Sequence, residues 1–542
     1  MVRPDTPPPL PLSASARRDR LVLLGVGLLL LAPFLWKAVN IDGAFFLAIA
    51  DNITRNPLHP YDFYYNWTGR MDYVWNEMKN PPFIFYFQAL LLKLGIRSEL
   101  GLNLAFLVFP AGALLGMYAL ARRSVRRPLY AGLLLLFSPA FLVCATSIMM
   151  DVAFIAFYTA AVAFFVAGAE QDRSDLRLLS GIAGALAVLT KYFGLSLIPL
   201  LGAYAILRRK DLRANLAVLL LPAGAYLLWH LHGVLFHGKG HLLNAMAYGA
   251  ARHGSWDRLL RQAIATLTFT GSLLAAPLLS FVPLGRARGA LMLTAALVVS
   301  VALLELATAR LRFPVNGPNC VLFLLFSAGS IVYFAQALRD SLRRHDAFGW
   351  LLRMWLWGGV VFCIFLNWTV NARTVLLFEP PALLLFARWT EDAPRLRRAA
   401  LALTLALGLV AAAADYEFAE FGRREAVLEA KRYRPEDGVR FVGHWGFQYY
   451  MERAGFRHLD FRNPDLHPGD KVIVALMHTV SNRPMRELPP PRAIVSTQVR
   501  RSRLHVLTMN EFAGAGLHGS FLGLLPYTYS RLPIETVKVL QW

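Results

Sequence analysis

The chain has 542 residues, 56% of them hydrophobic and only 17% charged, with a formal net charge of +22. That leaves too little polar surface to cover a water-soluble globule of this length, so lipid must solvate most of the chain. The positive excess does not indicate a nucleic-acid partner. The arginines sit in short clusters between apolar runs, at Arg17-Arg18, Arg122-Arg123, Arg126-Arg127, Arg208-Arg209-Lys210, Arg343-Arg344 and Arg397-Arg398, which is the distribution membrane topology imposes.

In chain order, residues 1–20 read as a cytoplasmic segment in which Arg17, Arg18 and Arg20 precede an apolar run at 21–36. No small-residue cleavage site follows, so the run is expected to remain as a first span. Apolar stretches then predict thirteen spans: 21–39, 101–121, 128–147, 152–169, 176–190, 193–207, 213–234, 263–284, 289–309, 319–338, 350–367, 374–388 and 398–414. With the N-terminus in the cytoplasm, the connections at 122–127, 170–175, 208–212, 285–288, 339–349 and 389–397 fall inside, and each carries arginine. The predicted architecture is a polytopic α-helical membrane domain over 21–414, a first outside loop at about 40–100, and a small α/β soluble domain over 415–542 on the outer side. Two stretches of the loop read as juxtamembrane helices. One is 44–55, where Phe45, Phe46, Ile49 and Ile53 recur at helical spacing; the other is 80–94, which opens on Pro81-Pro82. Beyond residue 414 the composition turns polar, with strand-like runs at 439–442, 471–476, 504–507 and 537–540 and a helix at 446–454.

The polar residues that stand out are at span ends on the outer side: Asp42, Asp151, Lys191 and Arg373. Each has a simpler reading alone, Asp151 and Asp42 as helix caps, Lys191 as a snorkelling lysine and Arg373 as a headgroup contact. Together, two carboxylates and two cations at one interface suit a charged lipid-phosphate site. His230, His232, His237 and His241 cluster near the end of the seventh predicted span. Gly238 stands where an H-E-x-x-H motif needs Glu, and Gly238 and Gly240 argue against a helix there, so interfacial histidines are expected. The loop that follows carries Lys239, Arg252, Arg258 and Arg261. Cys144, Cys320 and Cys363 all fall in apolar segments and form no CxxC motif.

A family resemblance accompanies these residues. Ile41-Asp42-Gly43-Ala44-Phe45-Phe46-Leu47-Ala48-Ile49-Ala50-Asp51-Asn52 resembles the start of the first periplasmic loop in glycosyltransferases of the dolichyl-phosphate-mannose–protein mannosyltransferase type. The bacterial lipid A aminoarabinose transferase shares that GT-C fold. Asn80-Pro81-Pro82-Phe83 is similar to the family's K/H/N-P-P-L step, and Ser147-Ile148-Met149-Met150-Asp151-Val152 to its T-D-V-P segment. Leu189-Thr190-Lys191-Tyr192-Phe193-Gly194 resembles L-T-K-Y-x-G, and Asn371-Ala372-Arg373-Thr374 resembles A-R-Y-x-x-P. Gly443-His444-Trp445-Gly446-Phe447-Gln448-Tyr449-Tyr450 fits the soluble tail of such proteins. The acidic pair often found after the first span is reduced here to Asp42-Gly43, and Asn80 stands where some members have Lys or His.

The resemblance implies a sugar donor linked through phosphate to a polyprenol, and an acceptor hydroxyl on a glycan, lipid or protein. It assigns Asp42 as general base, Asp151 as an orienting carboxylate, and Lys191, Arg373 and Lys79 as cations for the donor phosphate. Asn80, Pro81, Pro82 and Tyr192 shape the surrounding loop. Transfer is expected to proceed by single displacement with inversion, without a metal or other cofactor. The Ala-, Leu- and Arg-rich composition suggests a bacterial plasma membrane, with the C-terminal domain periplasmic. A transporter or flippase for a lipid-linked or anionic substrate is the alternative, and a membrane scaffold whose tail recruits partners is a third reading.

Overall fold

The computed structural model describes residues 14–250, 255–343, 346–479 and 488–542; Arg252, Arg344 and the start of the 1–20 segment lie outside them. The chain is a polytopic helical membrane protein with a strand-containing C-terminal part. Among the described residues, seven helices are long and apolar enough to cross a bilayer, and nine if each of two bent pairs counts as one span. One bent pair is Pro128–Phe137 with Pro139–Ala145, broken by 65°, and the other is Trp256–Leu274 with Ala276–Leu284, broken by 85°. The first break falls at Ser138, whose hydroxyl caps the new helix by accepting from the Phe141 amide at 3.2 Å, with Pro139 at the first helical position. The second falls where Ala275 takes a positive φ of 57° ahead of Pro277.

The remaining predicted spans are shorter or more charged. Ala14–Leu31 includes the Arg17-Arg18-Asp19-Arg20 run, and Ser174–Thr190 has 17 residues. Leu197–Arg208 has 12, after a 3-10 turn at Tyr192–Ser196. Glu379–Trp389 has only 11, about 16 Å at 1.5 Å per residue, half of a bilayer core. It is buried on nearly every face, a core helix where the hydropathy run at 374–388 predicted a span. Met150–Gln171 is the central helix, lined by Ser174–Thr190 and Val108–Ser124, whereas Arg286–Leu311 presents most of its surface outward.

The loop over about 40–100 contains both expected helices, Gly43–Arg55 and Phe83–Lys93, packed against each other. Between them lies a short antiparallel hairpin, Tyr64–Asn66 with Met71–Tyr73. The final membrane helix runs unbroken from Pro394 to Arg432, about 58 Å long, straight through the composition change at residue 414.

Beyond it, a five-stranded mixed sheet has the strand order Arg457–His458, Arg440–Val442, Lys471–Ala475, Pro533–Gln541, Ala493–Arg501. The first three strands are parallel, and Pro533–Gln541 is antiparallel to both of its neighbours. Lys471–Ala475 is an apolar run buried at the centre, as its sequence predicts. Ala493–Arg501 was not anticipated, because its apolar residues are exposed and follow no clean alternation.

Helix Trp445–Arg453 docks this part onto the first loop. Gln448 donates to the Asn66 carbonyl at 2.7 Å, Tyr65 donates to Glu452 at 2.8 Å, and the Val39 amide donates to the Tyr450 hydroxyl at 3.0 Å. Close helix approach depends on small residues. A Cβ on Gly408 would collide with the Phe137 carbonyl oxygen, whereas one on Gly224 would meet nothing. Gly408→Ala should therefore lower the melting temperature of detergent-solubilised protein, with about 1–3 kcal/mol of overpacking. Gly224→Ala should leave it unchanged or slightly raised, both read by a thermal-shift assay.

Candidate active site

Four segments far apart in sequence meet at one end of the bundle. Asp42 occupies the N-cap position of helix Gly43–Arg55 but makes no side-chain cap hydrogen bond. Its carboxylate instead accepts from Arg373 Nη1 at 2.5 Å. Asp151 lies in the first turn of Met150–Gln171, whose N-cap position is Met149. It is therefore no cap: Oδ1 accepts from the Lys191 ammonium, and Oδ2 is buried without a hydrogen-bond partner. Arg373 is close enough to Asp151 as well as Asp42 for both to act on its charge. Cys144 lies beneath them, within electrostatic reach of Asp151, Arg373, Lys191 and Glu379. The two ion pairs thus form one quartet with no net charge.

Local sequence explains how the cations are presented. Lys191 is an extended residue between Ser174–Thr190 and the turn Tyr192–Ser196. The turn can fold back on the helix because Gly194 has no side chain: a Cβ there would approach Val188 N to 2.6 Å. Arg373 sits on the single turn Ala372–Val375, closed by a reciprocal capping box between Asn371 and Thr374. Side-chain exposure distinguishes the carboxylates: Asp151 is 2% exposed and Asp42 31%. Asp42 is the one open to water.

Tyr192 leads away from the quartet into a buried aromatic and histidine cluster. Its hydroxyl donates to His241 Nδ1 at 2.7 Å and accepts from Trp229 Nε1 at 2.9 Å, while His241 Nε2 donates to the Met78 carbonyl at 2.8 Å. A carbonyl can only accept, so the Nε2 proton and the tautomer are fixed. Burial pushes the His241 imidazole down to about 3. Lys79, beside Met78, donates to the Asn76 carbonyl and lies 4.6 Å above the Tyr248 ring. Lys79 is also within electrostatic reach of His241. Asn80 is held through its carbonyl by the Tyr61 hydroxyl at 2.7 Å, and Pro81-Pro82 lead directly into helix Phe83–Lys93.

The other histidines serve the loop. His232 donates to the Leu58 carbonyl at 2.8 Å, and His237 stacks on Trp75 at 3.8 Å. Gly238 ends their helix with a positive φ of 71°. Among the described residues, no group of three or more His, Cys, Asp or Glu side chains is arranged to hold a metal ion.

The sequence reading missed a second buried cluster. Lys37 pairs with Asp415 at 2.5 Å and donates to Thr146 at 3.1 Å, and His518 meets the other oxygen of Asp415 at 2.8 Å. Lys37 and Asp415 end apolar runs, where charge ordinarily marks only a membrane boundary. Their alignment across the sequence carried no local signal.

Residues 79–231 match the family model described as dolichyl-phosphate-mannose-protein mannosyltransferase. This segment contains Asn80-Pro81-Pro82, Asp151 and Lys191-Tyr192, and over it the resemblance noted in the sequence holds. No curated protein matches the chain. Among solved structures, the chain is similar to the archaeal oligosaccharyltransferase AglB from Archaeoglobus fulgidus in complex with an inhibitory peptide and a dolichol-phosphate. The two share 17% identity at a TM-score of 0.44, covering 75% of this chain and 56% of that one. It is also similar to ArnT from Cupriavidus metallidurans bound to undecaprenyl phosphate, with 14% identity, a TM-score of 0.41 and coverage of 90% and 96%. The arabinofuranosyltransferase AftD from Mycobacteria gives 15% identity, a TM-score of 0.43 and coverage of 99% and 40%. The chain thus spans a little over half the length of the archaeal enzyme.

The histidines have a measurable consequence. Burial lowers His241 and His444 to about 3 and His458 to about 4. All three are neutral in the folded chain and take up a proton near pH 6.5 when unfolded. Their contribution is complete above about pH 6.5 and is lost progressively as pH falls toward the folded values. Melting temperature should therefore drop as pH is lowered from 7.5 to 5, and His241→Gln should flatten part of that slope.

Proposed function

We propose that the chain is a glycosyltransferase that moves a sugar from a polyprenyl-phosphate donor to an acceptor hydroxyl at the outer face of a bacterial plasma membrane. The observation that carries the reading is the quartet Asp42–Arg373 with Asp151–Lys191. It gathers, at one end of the bundle, charged residues from four motifs of the resemblance. The family match over 79–231 supports glycosyl transfer as the reaction class.

The chemistry follows from what the four groups can do. A lipid phosphate leaves with growing negative charge, and Arg373 and Lys191 are cations in a region of reduced dielectric, where charge-assisted hydrogen bonds are strongest. Asp42, the exposed carboxylate, is the base for an acceptor arriving from water. Without a donor, Arg373 occupies the Asp42 carboxylate. A donor phosphate competing for Arg373 frees Asp42 to take the acceptor proton, which couples donor binding to base activation. Asp151 holds Lys191, and its second oxygen, buried without a partner, retains the capacity to accept one more hydrogen bond. With one base and no enzyme nucleophile in the reading, displacement inverts the anomeric centre. Lys79, near His241, lines the approach to the donor phosphate through the first loop. The two cations suffice to neutralise a phosphate, so the reading assigns no metal. Sugar and acceptor class, whether lipid, glycan or protein, are left to the assay.

The test is sugar transfer from a radiolabelled polyprenyl-phosphate donor pool in membranes containing the protein. Asp42→Asn should reduce the transfer rate by about 10²–10⁴-fold at equal expression. Lys191→Gln and Arg373→Gln should weaken retention of undecaprenyl phosphate by about tenfold or more. Equal transfer by Asp42→Asn removes that residue from the proton step, and unchanged lipid retention by both cation variants overturns the phosphate assignment.

A further inference from the structure

Three of the four quartet residues are carried by segments that converge on one buried carboxylate outside the quartet. Asp415, on helix Pro394–Arg432, has a side chain only 2% exposed. One oxygen accepts from Lys37 at 2.5 Å and the other from His518 Nε2 at 2.8 Å. Lys37 lies shortly before Asp42 in the sequence. Its ammonium also donates to Thr146 Oγ1 at 3.1 Å, shortly before Asp151. His518 belongs to the loop that clamps the Arg373 segment: the Ala372 amide donates to the Leu517 carbonyl at 2.9 Å, and the Ser520 amide to the Val370 carbonyl at 2.8 Å. The Val370 amide donates to Ser520 Oγ at 3.0 Å, and Thr369 and Ser520 exchange a hydroxyl contact at 3.1 Å.

The rest of the loop is equally constrained. The Leu517 amide donates to the Thr508 carbonyl at 2.8 Å, and the Gly519 amide to the Gly516 carbonyl at 2.9 Å. On the other side, Asn103 donates to the Leu35 and Lys37 carbonyls at 3.0 and 3.3 Å, which fixes the chain entering the first loop. The Asp42, Asp151 and Arg373 segments are thus connected through Lys37, Thr146, His518 and the single carboxylate that joins them.

We propose that Asp415 is a positioning residue for the quartet, and that the C-terminal loop Leu517–Ser520 is a built-in part of the active site. By holding Lys37 and His518 at once, Asp415 sets the separation between Asp42 and Arg373, on which donor-coupled release of the base depends. The inference rests on the glycosyltransferase reading for its kinetic consequence and stands on geometry for its structural one. An isolated structural ion pair of this kind is replaceable by apolar residues of similar volume with little loss of stability, whereas a positioning pair is not replaceable without loss of rate, because sub-ångström misplacement is felt in the chemical step.

The experiment uses the full chain in detergent or nanodiscs and compares wild type, Asp415→Asn and the double variant Lys37→Met/Asp415→Leu. Asp415→Asn keeps the size but leaves one acceptor oxygen for two donors. Hydrogen exchange of the peptide covering 369–376 should quicken at least tenfold in both variants. With a polyprenyl-phosphate donor pool, kcat should fall at least tenfold while KM for the donor changes less than threefold. The double variant, which leaves only His518 without its partner, should recover part of the melting temperature lost in Asp415→Asn without recovering kcat. Unchanged exchange over 369–376 in both variants overturns the proposal, as does a double variant that recovers rate together with stability. If wild-type protein transfers no sugar from any donor in the pool, the glycosyltransferase reading fails, and the exchange measurement alone decides whether Asp415 orders the Arg373 segment.

Discussion

An ion removed from water at the end of a membrane helix must meet its counter-charge at hydrogen-bonding distance, because an unpaired buried charge costs several kcal/mol. The end of the bundle that carries Asp42 and Arg373 is organised around that constraint. Lys37 and His518 both pair with Asp415 in burial, and Asp42 pairs with Arg373 and Asp151 with Lys191 nearby. Where a helix could have ended in solvated charge, the chain instead brings opposite charges from remote segments together. This brings the first loop, the central helix, the Arg373 turn and the C-terminal loop into one assembly.

The same constraint appears on the opposite side of the bundle with a different outcome. Arg177 is buried and held by Asn215, Asp172 and Asp211, and Arg126 bridges Glu391 and Asp392 at the surface. These pairs join neighbouring helices and carry no orphaned acceptor. At the quartet, by contrast, Asp151 keeps a buried oxygen unpartnered, and Asp42 remains partly open.

The C-terminal part is integrated with the membrane domain in two ways. Helix Trp445–Arg453 grips the hairpin loop through Gln448, Glu452 and Tyr450. The chain then returns at Leu517–Ser520 to pair with the backbone beside Arg373. The motif at 443–450, which the sequence presented only as part of a soluble tail, has a definite mechanical role. His444 is buried within it, and Gly446 lets the helix approach the Val39 carbonyl.

Composition and local spacing determined much of this protein. Apolar run lengths gave the helical membrane architecture, the 3.6-residue recurrence of Phe45, Phe46, Ile49 and Ile53 gave a loop helix, and Asp42, Asp151, Lys191 and Arg373 stood out as charges at span ends. Hydropathy is a sum over a window, so it could not distinguish a span from the buried 11-residue helix Glu379–Trp389 or locate the 65° and 85° breaks. Only the tertiary structure paired Asp42 with Arg373 and Asp151 with Lys191, and only it joined Lys37 to Asp415 and His518. Those partners are 331, 40, 378 and 103 residues apart, and an ion pair's energy depends on distance in space, which no local pattern records.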